Sequence, residues 1–171
     1  MPRGIRNNNL GNIKPGDPWQ GAVGDDGTFL IFADMSWGVR AIAQSLINMI
    51  NKKHLDTIAT LIPAWSATDQ AAYVANVAAF TTIDPNAQLG TDPDTIGSIV
   101  QAIINQENGA GAQFVTPDDI SEGMAKVQSG LLTSLTTAAQ AAVIEVQTNP
   151  IPYAIGAGVL VLILVLLGRK K

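Results

Sequence analysis

The stretch DPDTIGSIVQAIINQENG, residues 92–109, has the grammar of an amphipathic helix from its first residue to its last. Asp92 is a capping residue, Pro93 suits the first helical position, and Asp94 complements the positive end of the helix dipole. Ile96, Val100 and Ile103 form an apolar stripe with Ile99 beside it, which is one face of a 3.6-residue period. Asn108 or Gly109 can take the left-handed cap. Glu107 falls on the same stripe, one turn beyond Ile103. A helix with one apolar face must bury it against other elements.

Those elements are legible on both sides. Val39, Ile42, Leu46 and Met49 repeat along one face and predict a helix over 36–52. A short helix over 55–61 is expected to stop before Pro63, because proline disrupts a helix interior. Another is expected over 69–79, with Thr68 as its cap. Thr116, Pro117, Asp118 and Asp119 repeat the cap, proline and acid signal and predict a long helix over 117–147, weakened and kinked at Gly123 and Gly130. His54 is read as a helix-end or solvent residue. The opening 32 residues are rich in Asn, Gly, Pro and Asp. They predict loops and a short hairpin, with a turn at Asp25, Asp26 and Gly27 and a β-prone run at 28–32.

Residues 151–168 read IPYAIGAGVLVLILVLLG, with no charge, followed by Arg169, Lys170 and Lys171. That length and polarity predict one C-terminal transmembrane helix with a basic tail on the cytoplasmic or genome-facing side. The expected fold class is therefore mainly α. It comprises an α+β domain with a small hairpin over 1–127, a helical stalk over 128–150, a transmembrane helix over 151–168 and a basic tail over 169–171. The expected location is a membrane, by a single C-terminal anchor. No leader is expected at the N-terminus, where the residues are polar and turn-rich.

The chain has 171 residues, a net charge of −4, no cysteine and one histidine. Disulfides, thiolate metal sites and a cysteine nucleophile are excluded. A zinc site or Ser-His-Asp triad is not expected with a lone histidine, and no cofactor or metal is implied. The acidic balance argues against a specific nucleic-acid partner.

Among the acids, Glu107 stands out. Its stripe position desolvates the carboxyl and favours the protonated form, which a general acid for glycosidic cleavage needs. The alternative is a helix-end glutamate that reaches solvent. Glu122 has charged neighbours and Glu145 lies in the stalk. Asp25, Asp26, Asp34 and Asp69 could each supply a second carboxylate, and nothing selects one. The opening run Arg3-Gly4-Ile5-Arg6-Asn7-Asn8-Asn9-Leu10-Gly11-Asn12-Ile13 offers amides suited to sugar hydroxyls and N-acetyl groups. Alternatively its asparagines satisfy their own backbone. Trp19, Trp37 and Trp65 can stack on sugar rings or pack in a core; Trp19, flanked by loop residues, is the better cleft candidate.

In this order the motifs resemble a family of phage virion proteins of lysozyme-like or transglycosylase-like character. The resemblance rests on Arg3 to Ile13, on Trp19-Gln20-Gly21, on Phe29 and Phe32, and on Gly38-Val39-Arg40-Ala41. Trp65, Tyr73 and Glu107-Asn108-Gly109 complete it. It covers residues 1–127, with Leu10 where the family usually has proline and Asp34-Met35-Ser36 where a glutamate or proline is more usual. The asparagine-rich run is also similar to that of flagellar and autolysin-type glucosaminidases, whose catalytic helix precedes the run instead of following it. The resemblance implies a circularly permuted relation and peptidoglycan glycan strands as substrate. Glu107 would be the acid, and Asn7, Asn8, Asn9, Asn12, Trp19, Tyr73 and Asn108 would line the substrate site. It further implies a lysozyme-like fold over 1–127 and a location in a virion internal membrane or the host inner membrane. Its implied partners are a lipid bilayer and capsid or vertex proteins, with self-association through the stalk. The alternative function is a non-enzymatic virion membrane protein linking membrane to capsid or vertex.

Overall fold

A computed structural model describes residues 1–148. The chain divides into two compact units, Met1–Val127 and Gln128–Lys171. The first begins with a one-turn helix, α1 (Arg3–Arg6), and an antiparallel hairpin of β1 (Ala22–Asp25) and β2 (Leu30–Phe32). The hairpin pairs Ala22 with Phe32, Gly24 with Ile31 and Asp25 with Leu30. The extra residue between the first two pairs is Val23, a bulge whose side chain is exposed.

Helices α2 (Met35–Lys53), α3 (Ile58–Trp65), α4 (Gln70–Thr81) and α5 (Pro93–Asn108) follow. Asp34 caps α2 by accepting from the Trp37 amide, and His54 ends it in the left-handed region at φ 55°. Asp92 accepts from the Thr95 amide at the start of α5, with Pro93 at its first position. The stripes of α2 and α5 meet: Val39, Ile42, Leu46, Ile96, Val100 and Ile103 are all fully buried in one core. Burial of each such side chain contributes about 1.5–3 kcal/mol.

Three local expectations change. Helix α3 begins after Thr57 and runs through Pro63 to Trp65. A reciprocal Thr57–Thr60 capping box fixes its start. Because the helix ends two residues beyond the proline, the lost ladder bond costs it little cooperativity. The N-cap of α4 is Asp69 in the left-handed region, not Thr68, and no side chain caps it; after α5, Gly109–Phe114 form a 3₁₀ turn. Gly123 sits in α6 (Pro117–Thr148) for close packing: a Cβ there would lie 2.5 Å from Val39 Cβ and 2.6 Å from the Ser36 carbonyl oxygen.

The larger correction concerns the C-terminus. Among the described residues no helix is long and apolar enough to cross a membrane. The longest, α6, carries Asp118, Asp119, Glu122 and Lys126 and is rich in Ser, Thr and Gln, too polar for a bilayer core. Residues 151–168 lie outside the described residues. The fold class is thus corrected to a mainly helical architecture with one two-stranded hairpin. A transmembrane helix, and with it a single-pass location in a virion or host inner membrane, has no support in this structure.

Candidate active site

The site is assembled from the opening loop, α4 and the last turn of α5. Asn9, only 1% exposed, folds the loop on itself. Its Nδ2 donates to the carbonyls of Ile13 and Leu30, both at 2.8 Å, and its Oδ1 accepts from the Ile13 amide. The tight turn leaves Asn12 in the left-handed region, φ 52°, a conformation asparagine tolerates better than most residues. Gly11, before it, passes so close to the core that a Cβ would lie 2.7 Å from Ile42 Cγ1 and 2.8 Å from Trp65 Cζ2. Asn108 stitches the end of α5 to this loop, donating through Nδ2 to Leu10 O at 2.8 Å and to Ile104 O at 3.0 Å.

Three residues meet as a result. Asn12 Nδ2 donates to Glu107 Oε2 at 2.8 Å, and the Tyr73 hydroxyl donates to Glu107 Oε1 at 3.0 Å. Glu107 is half-buried and Tyr73 is buried in the core. Burial, and then the charge and hydrogen bond of Glu107, push the Tyr73 phenol far above its ordinary range. Tyr73 therefore remains a neutral donor at any working pH. Trp65 lies beside both Gly11 and the Tyr73 hydroxyl.

The other expected site residues serve the scaffold. Asn7 is buried and donates to Asp26 Oδ2 at 2.6 Å. Asn8, φ 52°, donates to Phe32 O at 3.0 Å. Asn9 and Asn108 are buried and committed to backbone carbonyls. Trp19 packs, half-buried, against the small cluster of Leu30, Phe32 and Ala41. Asn8 and Asn9 thus satisfy backbone carbonyls and build the loop, Asn7 holds Asp26, and Asn12 reaches the Glu107 carboxyl.

Two side chains escape a reading from sequence. Trp65 was legible as an aromatic but not as a neighbour of Tyr73, since the fold of α3 against the loop brings them together. Arg40, 7% exposed, has its Nε enclosed without a hydrogen-bond partner. Its guanidinium carbon lies 5.9 Å from the Trp37 ring centre. The signal in sequence is a lone charge inside the apolar run Gly38-Val39-Arg40-Ala41-Ile42-Ala43. No protein-family model matches the chain, and no curated protein matches it.

Proposed function

We propose that the Met1–Val127 unit cleaves peptidoglycan glycan strands, with Glu107 as the proton donor. The observation that carries this reading is the convergence of Asn12 and Tyr73, both neutral donors, on the two oxygens of one half-buried carboxyl at a helix end. In the reaction Glu107 gives its proton to the glycosidic oxygen as the bond from C1 to that oxygen breaks. Asn12 and Tyr73 hold the two oxygens of the carboxylate that forms through donors already fixed in place. Ring closure by the sugar's own 6-hydroxyl needs only this one carboxyl: the hydroxyl attacks C1 and returns its proton to Glu107. The product is a 1,6-anhydro sugar, and the carboxyl is restored. We read such cleavage as a step of genome entry, on the likeness of the opening motifs to those of phage virion proteins.

A second reading has an observation of its own. Both Glu107 oxygens are already taken by internal donors, so the carboxyl also works as a tie among the loop, α4 and α5 in a non-enzymatic virion protein. A peptidoglycan zymogram of the full chain beside Glu107→Gln separates the two. Clearing by the parent and none by the folded variant supports cleavage, and mass spectrometry then identifies an anhydro product. No clearing by the parent on several peptidoglycans favours the tie.

A further inference from the structure

A groove of ≈ 240 Å³ opens between α5, the 3₁₀ turn and the start of α6, lined by Gln101, Ile104, Asn105, Ala112, Val115, Thr116, Pro117 and Ile120. Asn105 and Glu107 are two residues apart on α5, about 200° around its axis, so the Asn105 position lies on the other side of that helix from the acid. Its lining carries no charged side chain. Ile104 is a buried floor, and Ala112, Val115 and Ile120 are half-buried walls. Gln101 and Asn105, one helical turn apart and exposed, present carboxamides.

We propose that this groove is a second, non-catalytic subsite for one N-acetylated amino sugar. A lining without a cationic side chain, with the Asp119 carboxylate held against Thr116 beside it, disfavours phosphate or carboxylate, since neither would find a counter-charge to offset its desolvation. Paired carboxamides recognise a group that both donates and accepts, which an acetamido group does. The acetamido methyl has the isoleucine floor to cover it. A groove this small holds about one ring, below the usual ~300 Å³ floor of ligand pockets, and is too short for an extended peptide. The choice of a glycan over other acetamides rests on the cleavage reading; the subsite itself goes beyond it.

The test is NMR of the full chain carrying Glu107→Gln, which cannot turn over glycan, titrated with N-acetylglucosamine and separately with glucose. N-acetylglucosamine should move the side-chain carboxamide signals of Gln101 and Asn105, and glucose should leave them in place. The double variant Gln101→Ala/Asn105→Ala should weaken that binding about tenfold, two modest hydrogen bonds lost. Both positions are exposed, so folding is retained. Equal shifts with glucose, or shifts confined to Asn12 and Tyr73, would overturn the subsite. Groove shifts in a chain that fails to cleave would sink the cleavage reading and leave the subsite standing. Cleavage without groove shifts would do the reverse.

Discussion

Asn12 Nδ2 lies 2.8 Å from Glu107 Oε2, although 95 residues separate them in the chain. Only the folded loop brings them together, so the contact reports the integrity of the site. Replacing Asn12 by alanine should cut glycan cleavage by about tenfold, one oriented donor lost from a developing charge. Tyr73→Phe keeps the buried ring and removes the hydroxyl. It should cost a similar factor and about 1–2 kcal/mol of stability, because the carboxyl of Glu107 loses a partner. Single-turnover rates and urea melts of the two variants check both figures. Full activity in either variant would remove that residue from the mechanism.

Gly11 is the hinge of this arrangement. A methyl group there would meet Ile42 Cγ1 and Trp65 Cζ2 at under 3 Å. Gly11→Ala should therefore destabilise the unit by about 1–3 kcal/mol, the usual cost of overpacking. The loop must move outward to relieve the clash, which takes Asn12 off Glu107. Activity should fall more than it does in Asn12→Ala at a temperature where both variants are folded. Equal activity would show that the loop absorbs the methyl without displacing Asn12.

How far the sequence carries can be judged from particular residues. Helix α5 was readable from Asp92 to Asn108 because cap, proline, dipole and stripe all agree there. Glu107 was readable as the odd acid for the same reason. The fates of Asn7, Asn8, Asn9 and Asn108 were not, since an asparagine serves a ligand and a backbone carbonyl with the same amide. Which it does depends on contacts such as Asn108 to Leu10, across 98 residues. Pro63 misled by a local rule that a capping box and a nearby helix end outweigh.

The Asp26 carboxyl clamps α1 to the hairpin turn and should set the acid limit of the unit. It accepts from Arg3 Nε and Nη2, both at 2.6 Å, from Asn7 Nδ2, and from the amides of Thr28 and Phe29. Arg3 first, then these hydrogen bonds, hold its pKa well below the usual carboxylate range. A depressed folded-state pKa stabilises the fold above the unfolded value, about 3.9, and that contribution is lost as pH falls towards the folded value. Asp26→Asn should therefore melt below the parent at pH 6, with the gap closing below about pH 4. Because Arg3 is 40% exposed, added salt should narrow the gap at pH 6 as well. Parallel melting curves across that pH range would show that the clamp does not discriminate the two states.

Arg40 gives the last expectation, and its sign is opposite. The side chain is 7% exposed, its Nε has no partner, and burial lowers its pKa. Among the described residues it makes no hydrogen bond or ion pair; its contact with the Trp37 ring, at 5.9 Å, lies near the ~6 Å limit of such interactions and offsets at most about 2 kcal/mol. Desolvating a guanidinium costs several kcal/mol, so the balance is unfavourable. Methionine has a similar reach, no charge and enough flexibility to fill the space. Arg40→Met should raise the stability of the unit by about 1 kcal/mol. Arg40→Ala should not, because the cavity it leaves offsets the gain. The same urea melts read both variants. A methionine variant less stable than the parent would mean that Arg40 holds a compensating contact in solution, and the guanidinium would then have to be counted as part of the fold's polar framework.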